Sequence, residues 1–505
     1  MADLILAHDL GTTGNKATLI DAAGKPVASA FEGYVTSYPQ PNWAEQDASD
    51  WQRALANTTR RLLSQSAIPP SQIAAVSFSG HMQGALVVDD AGQPLRPAII
   101  WADQRATEQA AFIAQAGGGE DAVYRLTGHR VSAAYTAAKV LWIKDHQTEL
   151  YRRARWVLQP KDYAAWLLTG RIVTDYSDAS GTQLFDLEHR RWSRELIDAL
   201  DLSAQLLPDA FPSTTVIGQV TPEAARLTGL MAGTPVVIGG GDGACATVGS
   251  GAIRAGDAYT YIGSSAWMAM NVREPLPDPH RRIITFAHLD PALLFSLGPM
   301  QAAGGAFDWL DRLFNCHPGA EPAYAELDAM AAAIPPGASG VLCLPYLLGE
   351  RSPHWNPQAR AAFVGLSMAH GRAEMARAVL EGVAFNMRWI LDVLRSQGAR
   401  ISRMYVIGGG ARSAIWRQIL ADMYGMPLLR PHLDATATAL GAAIAGGIGV
   451  GLFSGFDVVA RLIPVTEAEQ PIADHVQRYA GLYPLFQQVY AALEPVFDRL
   501  STATT

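Results

Sequence analysis

Two α/β domains of similar design are predicted by three features of the chain. Apolar strand patterns alternate with helical ones, a strand–glycine turn–strand grammar occurs twice, and the 505 residues exceed the roughly 250–300 at which a single core stops growing. With 49% hydrophobic and 17% charged residues the chain can bury large cores and is not of the disordered class.

The opening reads as a β-meander: LILAHDL, the turn GTTGNK, ATLID, the turn AAGKP, then VASAFE. After a loop carrying PNWAEQD, Ser49 and Gln52 form a candidate capping box, and Trp51, Leu55, Leu62 and Leu63 recur at helical spacing, so a buried helix is expected next. IAAVSFSG at 73–80 is an apolar strand ending in small residues. The segment ALVVDD-AGQP-LRPAIIWAD gives two more strands around a Gly-Pro turn. In the second half PVVIGGGD (235–242), AYTYIGSSAWMAM (258–270) and MYVIGGGARS (404–413) each run into small residues, and the Gly-Thr turn near residue 9 has a counterpart near 260. The expected division is 1–250 and 251–505. Met375, Val379, Val383, Ile390 and Leu394 mark one face of a core helix in the second domain. Segments 117–119 and 334–340 read as loops.

A net charge of -8, with no basic run longer than a doublet such as Arg152-Arg153, argues against nucleic-acid or anionic-membrane partners. Cys245, Cys316 and Cys343 are too few and scattered for a disulfide framework or a zinc site. No window approaches the roughly 18 uninterrupted apolar residues of a spanning helix, and the start MADLILAHDL lacks a basic leader. A cytoplasmic location is expected.

Four turns carry candidate chemistry. Asp9-Leu10-Gly11-Thr12-Thr13-Gly14 can aim N–H groups and hydroxyls at phosphate oxygens, with Asp9 where a magnesium ion and its waters would sit; a plain hairpin is the alternative. Gly263-Ser264-Ser265 offers the same donors from the other half. In Gly239-Gly240-Gly241-Asp242-Gly243 a lone carboxylate stands among glycines that let a ligand approach the backbone, so Asp242 suits a general base; it equally suits capping a helix beginning near Ala244. Gly408-Gly409-Gly410-Ala411-Arg412-Ser413 suits a nucleotide's ring or ribose, or tight packing alone, and lacks the pattern of a dinucleotide fold. Polar and aromatic groups gather at Trp43-Ala44-Glu45-Gln46-Asp47, His81-Met82-Gln83 and Trp101-Ala102-Asp103-Gln104-Arg105, as a polyhydroxylated ligand requires. Singly, Trp43 and Trp101 read as core aromatics and Arg105 as an ion-pair group. His81 has no metal-spaced partners.

These pieces, together with TAAKVLWIKDH at 136–146, LQPKDYAAWLLTG at 158–170, LPYLLGERSPHWNP at 344–357 and IGGGARSAIWRQILAD at 407–422, resemble the FGGY carbohydrate kinases, their xylulose-kinase branch above all. The resemblance implies a pair of actin-like, hexokinase-like (ribonuclease H-like) domains with a cleft that closes on ATP and sugar. It implies ATP-dependent phosphorylation of a terminal hydroxyl, of D-xylulose first and of gluconate or another polyol second, with Mg2+ and with no nucleic acid or membrane partner. A homodimer is common among such chains. By the same resemblance Asp9 faces the metal-bound phosphates and Asp242 is the base. Gly11, Thr12, Thr13, Lys16, Gly263, Ser264 and Ser265 bind phosphate, and Gly409, Gly410 and Arg412 lie on the adenosine side. His81, Met82, Gln83, Trp101 and Arg105, with Asp242, contact sugar. Two positions depart from the family pattern. Its usual Gln-Met-His-Gly is His81-Met82-Gln83-Gly84 here, and its Asp-Asn pair is Asp242-Gly243, which removes a sugar hydrogen bond. The rival of another class is a non-catalytic actin- or Hsp70-like nucleotide-binding protein, against which the base, the polar-aromatic pocket and the absence of a DNA-binding extension count.

Overall fold

The computed structural model describes residues 3–276, 278–315, 324–433 and 436–503. Cys316 lies outside them; Cys245 and Cys343 are buried free thiols. Contacts divide the chain into a first unit of Met1–Ala255, Asn271–Phe295 and Leu433–Pro464 and a second of Gly256–Met270, Ser296–His432 and Val465–Thr505. The chain therefore passes between units five times, first after Ala255.

The meander forms as its alternating apolar residues require. Strands Leu4–Leu10, Gly14–Ile20 and Pro26–Gly33 pair antiparallel in order, and Leu10 sits opposite Asn15 across the Gly-Thr turn. Ile73–Gly80 then lies parallel to Leu4–Leu10, Pro235–Val237 parallel to Ile73–Gly80, and Val216–Gln219 antiparallel at the edge. The second sheet repeats this sequence of directions. Leu294–Met300 flanks Ala266–Val272, which is antiparallel to Asp257–Ile262; Arg403–Ile407 and Leu428–Pro431 follow in parallel, and Val465–Glu469 closes the edge antiparallel. The Gly11–Thr13 and Gly263–Ser265 turns thus occupy equivalent corners of equivalent sheets.

The helix after the meander spans Ala48–Ser66 and buries Trp51, Leu55, Thr58, Thr59 and Leu62. Its cap is Asp47, whose carboxylate accepts from the Ser49 N–H at 2.8 Å, and not the predicted Ser49; the helix begins one residue before that serine. The two strands expected within 85–101 are short, Leu86–Val88 and Ala98–Ile99, and pair with Trp156–Leu158 and Glu45–Gln46 outside the main sheet. In the second unit the core helix runs Arg372–Ser396 with Val379, Val383, Ile390 and Leu394 buried.

One helix of the first unit arrives from far along the chain. Ala437–Gly449 (ATALGAAIAGGIG) lies against the first two parallel strands, where a Cβ on Gly446 would stand 2.9 Å from Ser77 Cβ and 3.0 Å from Ile5 Cγ2. Small side chains allow the same closeness to helix Asp242–Gly249: a Cβ on Gly441 would lie 2.0 Å from the Cys245 carbonyl oxygen.

Candidate active site

Asp242 opens helix Asp242–Gly249 rather than capping it: Gly241 holds the cap position, and Asp242 Oδ1 accepts from the Gly243 N–H at 2.7 Å. The preceding glycines are required by protein rather than by ligand. Gly239 has φ +67°, and a Cβ there would fall 2.0 Å from the Phe78 carbonyl oxygen; at 240 it would meet Leu289 and Ser177, and at 241 Met82. Gly243 is the roomiest of the four, with its nearest neighbour, Phe295, at 3.5 Å from a built Cβ. A hydrogen-bonded series supports the turn from behind. The Gly241 N–H donates to Ser177 Oγ at 2.9 Å, Ser177 donates to Asp175 Oδ2 at 2.6 Å, and Lys161 Nζ pairs with Asp175 Oδ1 at 2.9 Å. Burial pushes the Asp242 carboxyl up to about 7, and the negative charge of Asp9 adds to the shift. A carboxylate tuned so can hold a proton taken from a hydroxyl near neutral pH.

Asp9, on the first strand, accepts from Thr438 Oγ1 at 2.5 Å. Burial raises its carboxyl above the usual range, against the hydrogen bond from Thr438 and the positive charge of Lys16, its register partner on the next strand. The Gly-Thr turn beyond it is pinned through its carbonyls: Tyr34 Oη donates to Gly11 O at 2.5 Å, Gln46 Nε2 to Thr12 O at 2.7 Å, and the Tyr34 N–H to Thr13 O at 3.2 Å. The Thr12 and Thr13 N–H groups donate to no acceptor among the described residues. Such a turn, with one carboxylate beside it, fits phosphate oxygens and a hydrated divalent cation.

The predicted sugar segment joins this turn. The His81 N–H donates to Leu10 O at 2.9 Å. Gln46 spends its amide N–H groups on Thr12 O and Thr36 Oγ1, so its Oε1 accepts both from Trp51 Nε1 at 3.0 Å and from His81 Nε2 at 3.2 Å. That assigns the His81 proton to Nε2 and leaves Nδ1, buried and without a partner among the described residues, as a hydrogen-bond acceptor. Burial and the charge of Lys139 lower His81 to about 3, so the ring stays neutral. Met82 lays its thioether beside Gly241, and Trp101, an exposed aromatic rather than a core one, donates from Nε1 to Thr12 Oγ1 at 2.9 Å. His81, Met82, Trp101, the Gly-Thr turn and Asp242 are thereby tied together within the first unit.

Arg105 is enclosed by partners within the first unit. Its guanidinium pairs with Glu45 at 2.7 Å and Asp103 at 2.6 Å, lies 3.6 Å over the Trp43 ring, and leaves the side chain 1% exposed. It fills the ion-pair role its residue type suggests, and its Nη1 is buried with no hydrogen-bond partner among the described residues.

In the second unit the carbonyls of Gly263 and Ser264 accept from the N–H groups of Ala303, Gly304 and Gly305, so this turn rests on the start of helix Gly304–Asn315, a relation the sequence reading missed. Gly408, at φ +94°, crosses so close to strand Asp257–Ile262 that a Cβ would fall 2.4 Å from the Ile262 carbonyl oxygen. Gly409 has open space around it, Arg412 is exposed, and Arg417 Nη1 braces the turn through the Ala411 carbonyl at 2.8 Å. The GERSPHWNP segment folds around Glu350, which accepts from the N–H groups of Gln301 and Arg351, both at 2.7 Å.

Known proteins match along nearly the whole chain. Residues 4–249 match the N-terminal domain of the FGGY family of carbohydrate kinases and residues 258–450 its C-terminal domain. The xylulose kinase of Escherichia coli (strain K12) is 35% identical over 496 residues, 98% of this chain and 100% of that one. The gluconokinase of Bacillus subtilis (strain 168) is 31% identical over 509 residues, 99% and 98%. The crystal structure of xylulose kinase from Rhodospirillum rubrum superimposes with a TM-score of 0.90 at 32% identity, covering 98% of this chain and 100% of that one. Repeated sheets, paired glycine turns and these matches together place the chain in the FGGY family of carbohydrate kinases, a family whose kinase chemistry implies the use of ATP.

Proposed function

We propose that this protein transfers the γ-phosphoryl group of MgATP to the terminal hydroxyl of D-xylulose, giving D-xylulose 5-phosphate in the cytoplasm. The observation that carries the mechanism is Asp242, a carboxylate raised to about 7 at a strand-to-helix turn and flanked by Met82. The sugar oxygen attacks phosphorus, its proton passes to the Asp242 carboxylate, and the bond to the leaving ADP oxygen breaks. The N–H groups of the Gly11–Thr13 turn would donate to phosphate oxygens, and Asp9 would be the residue to hold Mg2+. The metal's chemistry, when bound, is to neutralise phosphate charge. Gly263, Ser264 and Ser265 are assigned to phosphate, and Gly409, Gly410 and Arg412 to the nucleoside. Lys16 offsets the charge of Asp9.

A neutral ketose suits the sugar side better than gluconate. His81 is held neutral, so the segment offers a hydroxyl an uncharged acceptor at Nδ1 and offers a substrate carboxylate no cation. ADP release measured across D-xylulose, other ketoses, glycerol and gluconate tests this. The highest kcat/KM is expected with D-xylulose, and a preference for gluconate would overturn the assignment. Gln83→Ala should raise KM for the sugar severalfold and leave KM for ATP nearly unchanged; an effect confined to ATP would remove Gln83 from the sugar side.

A further inference from the structure

The motifs TAAKVLWIKDH and LQPKDYAAWLLTG contain none of the residues assigned to substrate contact, yet each sends a buried polar group to the same short segment. Helix Thr136–His146 presents Lys139, which is 0% exposed and donates from Nζ to the Gln83 carbonyl at 2.7 Å and to the Ala134 carbonyl. One turn earlier Thr136 Oγ1 donates to the Gly84 carbonyl at 2.8 Å. From the other motif Gln159, at the cap of helix Pro160–Thr169, brackets Gly84. Its Oε1 accepts from the Gly84 N–H at 2.8 Å, and its Nε2 donates to the Gly84 carbonyl at 3.0 Å.

Gln83 stands at φ +67°, a left-handed conformation that a residue with a side chain keeps only when its surroundings impose it. Lys139 holds the Gln83 carbonyl, and the segment's upstream end is fixed by the His81 N–H on Leu10. Between these two anchors lies Met82, whose thioether packs against Gly241, the residue before Asp242. Among the described residues no carboxylate is in hydrogen-bond contact with Lys139, and a lysine buried so is costly to the fold.

We propose that Lys139, with Thr136 and Gln159, is a positioning clamp for the sugar-binding segment, setting where His81, Met82 and Gln83 meet the substrate while touching none of it. The inference rests on the sugar-kinase reading above. Releasing the clamp leaves buried carbonyls unpaired and frees Gln83 to leave its left-handed conformation, so sugar affinity should fall while nucleotide affinity is untouched.

Lys139→Met keeps the stem's volume and removes the donor. Steady-state kinetics with each substrate varied, sugar titrations followed by tryptophan fluorescence without nucleotide, and melting curves are measured on the variant and on wild type. Expected are a rise of about tenfold or more in both KM and Kd for sugar, a KM for ATP within twofold of wild type, and an intact melting transition. An unchanged sugar KM in folded Lys139→Met overturns the clamp, and so does a parallel rise of both KM values with a lowered melting temperature. Should Lys139→Met not accumulate as folded protein, Thr136→Val decides by the same split. Wild-type turnover separates the two readings. No turnover of any sugar by wild type overturns the kinase assignment and the clamp with it, whereas normal wild-type turnover with an indifferent variant overturns the clamp alone.

Discussion

Asp242→Asn should lower kcat by about 10²–10⁴ in a protein that folds normally. The substitution preserves volume and keeps an oxygen able to accept from the Gly243 N–H, so the helix start that Asp242 supports is retained. What disappears is a group able to take the sugar's proton. The same carboxyl predicts a pH dependence. It must be unprotonated to act, and its value is raised to about 7, so wild-type kcat/KM for sugar should fall tenfold per unit as pH drops below a limb near neutrality, and the residual activity of the variant should lack that limb. Near-normal turnover by folded Asp242→Asn would end the assignment.

Asp9→Ala should reduce kcat/KM for MgATP by about 10²–10³, the size of effect seen when one electrostatic contact to a reacting group is removed. The factor should be similar for every sugar, because Asp9 acts at the Gly-Thr turn and not on the sugar's hydroxyls. Thr438→Val, which takes away only the hydrogen bond at 2.5 Å, should have a much smaller effect and serves as the control for disturbance of the strand. A changed ranking of sugars with MgATP use intact would move Asp9 to the other substrate.

Local patterns made much of this legible before any coordinates. The meander, its glycine turn and the counterpart near residue 260 follow from alternation and turn residues, and the strands form where that alternation stands. His81, Met82 and Gln83 announced themselves as polar or soft groups at a strand end. What stayed hidden depends on neighbours remote in sequence. Thr438 reaches Asp9 across 429 positions from a helix of small residues that has no amphipathic signature. Trp101 looks like a core aromatic until its N–H is found on Thr12, and Arg105 looks available until Glu45, Asp103 and Trp43 enclose it. The glycines before Asp242 were legible as close approach, but sequence could not say that the approaching atoms belong to Phe78, Ser177 and Met82.

The helix Ala437–Gly449 also bears on how the protein is made. The first unit's main sheet is complete in the chain by Gly241, yet the helix that covers its inner strands and supplies Thr438 lies within Leu433–Pro464. A ribosome adding about 5–20 residues per second needs roughly ten to forty seconds to travel from Ala255 to that segment. For that interval the nascent sheet carries an uncovered apolar face, and the carboxylate of Asp9 waits for its partner. A gene cut after Ala255 would accordingly yield a fragment that aggregates or engages chaperones, and co-expression of the rest of the chain in trans should restore its solubility.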